Sequence, residues 1–252
     1  MTNTENINAS NIEVGQDLHR GLLSRSFGWL IRGVWLVCQA FLVGWAILVA
    51  ALAALSYAAN LASGKPPNDV LYQWSTAAAA LVQYGIILAI VLALARGIAP
   101  ATLGLRRPDS WGRAAGWILA ALAAIWVLGA ILDIFLKAGE EQGLVPDGWD
   151  SSRAAPFVAN FVVVALVAPF VEELTYRGLG FAAVRDGYGV TAAIVVTALA
   201  FGLAHGLFAA LPVLSIFGAI LAWLRFKTGS LYPSIILHGL FNGAALIAAV
   251  ST

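Results

Sequence analysis

Charged residues are scarce in this sequence, and cysteine is almost absent. Only 11% of its 252 residues are charged and 61% are hydrophobic, whereas a soluble domain carries about 25% charged residues. The single cysteine, Cys38, allows no intrachain disulfide, no CxxC motif and no cysteine-ligated metal site. A net charge of +1 gives no indication of nucleic-acid binding. The composition argues against a soluble domain and a disulfide scaffold.

Several common hydrolase signatures are also missing. The sequence contains no HExxH motif, so the usual zincin arrangement is not expected. It contains no GxSxG motif and no cysteine near a histidine. A covalent serine or cysteine mechanism is therefore disfavoured.

Long continuous apolar runs fill most of the chain. About 20 apolar residues cross a bilayer as a helix, and a barrel would need alternating residues instead. We predict an all-α transmembrane bundle of about seven spans, with a polar tail over 1–33 and one transmembrane domain over 34–252. The predicted spans are approximately 34–59, 74–95, 114–136, 154–184, 190–211, 212–224 and 234–250. The turn between the fourth and fifth is predicted at 186–189, and the short sixth could be re-entrant.

Basic residues fall in alternate connections between these spans. With the N-terminus inside, the basic flank before the first span, the loop 96–113, Arg185, Arg225 and Lys227 all lie on the cytoplasmic side. The acidic loop 137–153 then lies outside, as the positive-inside rule requires. We therefore predict a cytoplasmic N-terminus.

Three ionisable residues interrupt the fourth apolar run. Glu173 and Arg177 are four residues apart, so they share a helix face and can form a structural ion pair. Glu172 points about 100° away from Glu173 and has no evident partner nearby in sequence. An ionisable residue inside the membrane is by default a candidate for function.

Further polar groups occur in the later runs. Counted from the turns at Gly187 and Gly229, Glu172 and His205 lie about 22 and 27 Å deep, and His238 and Asn242 about 14 and 20 Å. These four side chains can therefore converge at one level, which we expect to open to a cytoplasm-facing cavity. Taken singly, a histidine or asparagine could equally be a hydrogen bond between helices, and Phe201 could be packing.

The four groups suit activation of water and amide hydrolysis. Glu172, assisted by His205, could act as general base, with His238 and Asn242 donating to the oxyanion of a tetrahedral intermediate. Alternatively, Glu172, His205 and His238 could hold a zinc ion that activates the water. The sequence leaves both mechanisms open, and a divalent metal such as zinc stays a candidate cofactor.

The motifs resemble those of the CAAX protease and bacteriocin-processing (CPBP, or Abi) family of intramembrane endopeptidases. Residues 172–177 are similar to its EExxxR motif, 201–205 to FxxxH, and 238–242 to HxxxN, all in the family's order within 168–243. The resemblance implies a CAAX-protease-type membrane endopeptidase, glutamate- or metal-dependent, with Glu172, His205, His238 and Asn242 catalytic. Glu173, Arg177 and Phe201 would support them.

The resemblance also implies a multi-pass protein of a bacterial cell membrane, with the lipid bilayer and a membrane-associated peptide or protein as partners. Some members of the family are thought to act as immunity or scaffold proteins, so a non-catalytic bacteriocin self-immunity protein is the alternative. A proton-coupled transporter would also bury glutamate and histidine, but the chain shows no repeated halves of the kind many transporters have.

Overall fold

A computed structural model describes residues 42–59, 61–62, 69–136 and 148–251, with the backbone alone over 133–136. Within these ranges every regular element is a helix and no strand occurs, so the predicted all-α class is confirmed. The described helices belong to one compact unit, Phe41–Thr252. The predicted polar tail over 1–33 lies outside the described residues.

We number the α-helices of the described part in chain order. They are α1 (Leu42–Ala59), α2 (Trp74–Leu94), α3 (Trp111–Leu136), α4 (Ala154–Val162), α5 (Ala168–Glu173), α6 (Phe181–Ala204), α7 (Leu211–Thr228) and α8 (Tyr232–Val250). A first π segment, Val163–Val167, joins α4 to α5, and a second, Leu174–Gly180, joins α5 to α6. Short 3-10 turns, Val70–Tyr72 and Ser151–Arg153, precede α2 and α4.

Six helical stretches of the described part are long and apolar enough to cross a membrane, and one of them, Ser151–Ala204, has 54 residues. This stretch folds back on itself at Gly189, whose φ is 83°. The ring centroids of Tyr176 and Phe201 are 5.4 Å apart, whereas 25 residues of straight helix would separate them by about 37 Å. The predicted turn at 186–189 is therefore confirmed. The number of crossings and the cytoplasmic N-terminus stay predictions.

The end of α6 differs from the sequence prediction. The helix ends at Ala204 and His205 is its C-terminal cap residue. Gly206 follows with a φ of 69°, the left-handed conformation that commonly ends helices. The prediction that His205 lies well inside a span ending near residue 211 is therefore wrong. It failed because the apolar run continues through this turn into α7.

Prolines and one glycine mark several of the other helix boundaries. Pro212 and Pro233 lie in the first turns of α7 and α8, where the missing N–H costs least, and Pro169 lies in the first turn of α5. Gly229 ends α7 with a φ of 61°. As a result α7 has 18 residues, enough to cross a membrane by length and composition.

Two carboxylates and an arginine, which we call the rim cluster, join the connection before α2 to the start of α4. The rim cluster consists of Asp69, Asp150 and Arg153. Arg153 donates to Asp150 at 2.6 Å and to Asp69 at 3.2 Å, and its guanidinium carbon lies 4.8 Å from the centroid of the Tyr72 ring. All three side chains stay between one third and one half exposed.

A buried amide completes this junction. The Nδ2 of Asn160 in α4 donates to the carbonyls of Leu71 and Gln73, each at 3.0 Å. Asn160 is only 2% exposed, so these bonds replace the water that the two carbonyls would otherwise bind. The start of α2 is thereby held against α4.

Candidate active site

The glutamate pair lies in α5, between the two π segments. At the end of the first π segment the N–H of Ala168 donates to the carbonyl of Val163, the i→i+5 spacing of a π-helix. The next donor in this series would be Pro169, which has no N–H. The Val164 carbonyl therefore lacks a helical donor, and the Nδ2 of Asn242 in α8 donates to it at 3.0 Å. One amide hydrogen of Asn242 is thus bound to the helix that carries the glutamates.

Glu172 makes a different contact with each of its two oxygens. Its Oε1 accepts a hydrogen bond of 2.6 Å from the hydroxyl of Tyr84 in α2. Its Oε2 lies 3.6 Å from Nε2 of His238 in α8. The side chain is 16% exposed, so Glu172 is the more accessible of the two adjacent glutamates.

Glu173 lies at the centre of a second group, which we call the buried cluster: Glu173, Arg177 and His238. Glu173 Oε1 accepts from Arg177 and lies 3.0 Å from Nδ1 of His238. Arg177 also donates to the carbonyl of Gly218 in α7 at 2.8 Å. Glu173 and Arg177 have fully buried side chains. The ion pair predicted between Glu173 and Arg177 is therefore present, and its carboxylate also binds His238.

The partners of the two histidines define their tautomers. Nδ1 of His205 lies 2.7 Å from the carbonyl oxygen of Phe201, which can only accept, so Nδ1 carries the proton. Nδ1 of His238 faces the carboxylate of Glu173 and donates to it for the same reason. In the neutral form of each ring the lone pair is then on Nε2. The two imidazoles can therefore each accept a proton at Nε2.

The ring of Phe201 packs against both imidazoles. Its ring centroid is 4.6 Å from that of His205 and 5.7 Å from that of His238, and the guanidinium carbon of Arg177 lies 4.5 Å from it. In the described part of the chain, the ion pairs of the two glutamates involve Arg177 and His238 and not His205. The structure thus places His238, rather than His205, beside Glu172.

The set Glu172, His205 and His238 has donors of the types that zinc binds. Across the described ranges, however, no three or more His, Cys, Asp or Glu side chains are grouped as metal ligands. The arrangement of these side chains therefore does not fit a three-ligand site.

The sequence did not predict two contacts of this site, that of Tyr84 with Glu172 and that of Glu173 with His238. Tyr84 belongs to an apolar helix without a recognisable motif, and the only signal was a phenol hydroxyl in a hydrophobic run, which needs a partner when it is buried. The bond between Glu173 and His238 joins residues 65 apart in the chain. Neither pairing follows from helical spacing within one segment.

Comparisons with known proteins match the part of the chain that carries this site. Residues 154–244, which contain α4–α7, most of α8 and all three motifs, match the family model for type II CAAX prenyl endopeptidase, Rce1-like. The chain is 24% identical over 194 residues to "Putative membrane peptidase YdiL" of Bacillus subtilis (strain 168), covering 74% of this chain and 77% of that protein. No solved structure matches the chain. The family resemblance seen in the motifs is thereby confirmed.

Proposed function

We propose that this CPBP-family membrane protein is an endopeptidase that hydrolyses a peptide bond in a membrane-associated protein or peptide. The observation that carries the proposal is the unequal environment of the Glu172 oxygens. One accepts from Tyr84 and the other faces an imidazole. A carboxylate that is held in this way and is partly exposed suits a general base for water.

The reaction begins with proton transfer from water to Oε2 of Glu172. The water oxygen attacks the carbonyl carbon of the peptide bond, forming a C–O bond and a tetrahedral oxyanion. The proton on Glu172 then passes to the nitrogen of the leaving amine as the C–N bond breaks. The products are a carboxylic acid and an amine, and Glu172 returns to its carboxylate form.

The imidazoles and the asparagine supply hydrogen bonds during this reaction. His238 is fixed by Glu173, so its Nε2 stays directed towards Glu172 and, when protonated, donates to the oxyanion. Asn242 has a second amide hydrogen besides the one bound to Val164. His205 lies at the turn after α6, where its Nε2 can accept a hydrogen bond from the attacking water. Such preorganised groups lower the barrier because they need not reorient during the reaction.

Incomplete hydrogen bonding in the buried cluster also supports a functional role. Among the described residues, Glu173 Oε2 and Arg177 Nε are buried without a hydrogen-bond partner. A half-satisfied polar network is less stable than an apolar core. Stability alone does not explain why the buried cluster is kept. Its role in holding His238 in place does.

The family description and the name of the Bacillus subtilis relative both point to a peptidase. We extend this to the present chain as peptide-bond hydrolysis at the membrane. A prenylated CAAX protein is one substrate within that class, and the geometry of Glu172 and His238 does not select it.

Mass spectrometry of membrane peptide termini tests the proposal. We would compare cells without the protein, with the wild type, with Glu172→Gln, and with Asp186→Asn, which makes the same chemical change at an exposed carboxylate. New termini are expected with the wild type and Asp186→Asn only. If the wild type yields no termini beyond those of the empty cells, the enzyme proposal is wrong and binding of a toxin or its receptor becomes the function to test.

A further inference from the structure

We infer that Tyr84 is a positioning residue of this site: it holds Oε1 of Glu172 and leaves Oε2 as the oxygen that takes the proton. This inference rests on the proposed function. Tyr84 lies in α2, outside all three motifs and outside the 154–244 region matched by the family model. The first half of the chain would thus supply part of the site.

The hydrogen bond itself is short. The Tyr84 oxygen lies 2.6 Å from Oε1 of Glu172, within the range of about 2.5–2.7 Å for a hydroxyl that donates to a charged oxygen. A phenol in this position stabilises the carboxylate form of Glu172. It also restricts rotation of the carboxylate, because Oε1 cannot exchange places with Oε2 without breaking the bond.

Two contacts between the same pair of helical stretches fix where Tyr84 lies. The first joins Gln73 to Asn160, and the second joins Tyr84 to Glu172. Tyr84 is 11 residues after Gln73 and Glu172 is 12 residues after Asn160, so both chains advance by about 17–18 Å between the contacts. The two helical stretches therefore run parallel, and the junction at one end sets the register at the other.

The first π segment contributes to the same alignment. In a regular α-helix, Asn160 and Glu172 would be about 120° apart around the axis, since each residue advances by roughly 100°. Between them lies the wider π turn, in which each residue advances by less. The π segment therefore reduces this angle, and both side chains can reach the chain that forms α2.

Tyr84 could instead do no more than pack between helices. Tyr84→Phe separates the two roles because it keeps the ring and removes only the hydroxyl. A packing role predicts no change in the infrared band of the Glu172 carboxyl group, whereas a positioning role predicts one. Tyr188→Phe is the matched control, since Tyr188 is 61% exposed at the turn before Gly189.

The first measurement needs no substrate. Infrared spectra of the purified full chain, carrying ¹³C-labelled glutamate, are recorded for the wild type, Tyr84→Phe and Tyr188→Phe, and Glu172→Gln identifies the Glu172 band. A hydrogen bond at Oε1 affects the stretching frequency of the carboxyl group, so this band is expected to shift in Tyr84→Phe and to keep its position in Tyr188→Phe. An unchanged band in Tyr84→Phe would overturn the inference.

The second measurement uses the peptide termini found in cells. Tyr84→Phe is expected to reduce the yield of wild-type termini about tenfold, the loss typical of one hydrogen bond to a charged group, and Tyr188→Phe to leave it unchanged. If Tyr84→Phe matches the wild type while Glu172→Gln is inactive, Tyr84 has no role in the reaction. If the wild type itself produces no termini, the proposed function fails, and the infrared band of Glu172 still decides whether Tyr84 holds its carboxylate.

Discussion

The buried cluster and the rim cluster pair the same chemical groups in opposite surroundings. Within the buried cluster, Arg177 meets Glu173 at 3.0 Å with neither side chain exposed. In the rim cluster, Arg153 meets Asp150 at 2.6 Å, with 44% and 33% of the side chains exposed. The shorter ion pair is thus the more solvated one.

This difference shows that distance alone does not measure the importance of an ion pair. Water and salt screen the rim cluster, and exposed pairs typically contribute little to stability. The buried cluster is not screened, so each charge depends on its partner. Only the buried cluster contains a candidate catalytic side chain, that of His238.

The largest expected effect comes from removing one buried charge. Arg177→Met leaves Glu173 buried without its counter-ion, which typically costs about 3–5 kcal/mol. We expect a loss of this size in the free energy of unfolding, measured by denaturant titration in detergent micelles. Arg153→Met in the rim cluster is the matched control and should show no comparable loss. Equal losses for both variants would mean that burial does not distinguish the two clusters.

Removing both buried charges should do less damage than removing one. In the double variant Glu173→Gln with Arg177→Met, no uncompensated charge remains, so about 1–3 kcal/mol of the loss should be recovered. The same unfolding titration measures it. Because His238 loses its carboxylate partner, peptide termini should still be missing in cells. Recovery of stability together with full activity would contradict the role given to Glu173.

Backbone contacts extend the comparison to glycines. A Cβ on Gly239 in α8 would lie 2.6 Å from the carbonyl oxygen of Ala165 in the first π segment, whereas one on Gly116 in α3 would meet no atom within 4 Å. We expect Gly239→Ala to reduce the free energy of unfolding by about 1–3 kcal/mol through overpacking. Gly116→Ala should be neutral or stabilising, since alanine favours a helix. Similar losses for both would show that α8 can move away from Ala165.

The smallest effect is expected from titration of the rim cluster. Hydrogen bonds from Ser152 and then Arg153 lower the pKa of Asp150 from 3.8 to about 2. A lowered pKa stabilises the fold above the ordinary value, and the contribution is lost as the pH falls through about 2. The melting temperatures of the wild type and Asp150→Asn should therefore differ slightly at pH 5 and converge near pH 2. A difference that grows on acidification would contradict this sign.

Much of the fold could be predicted because lipid allows few alternatives. Apolar run lengths located the helices, and the glycines at 187 and 189 marked the point where the chain folds back. The end of α6 could not be found in this way. Gly206 ends that helix within an uninterrupted apolar run, so hydrophobicity did not mark the turn.

The site was predictable only where its residues repeat at helical spacing. The ion pair of Glu173 with Arg177 followed from the four-residue interval. The contacts of Glu172 with Tyr84 and of Glu173 with His238 join separate helices, and they depend on how those helices are rotated. The two π segments change that rotation, and nothing in the sequence indicated them.

The first π segment makes the length of the chain, and not only its composition, a determinant of the site. If one residue were inserted into Val163–Val167, Glu172 would be turned by roughly 100° away from Tyr84. Every side chain named in the mechanism would still be present. An in-frame gain of one codon here should be as damaging as replacement of Glu172, whereas the exposed turn at 186–188 should tolerate a change of length.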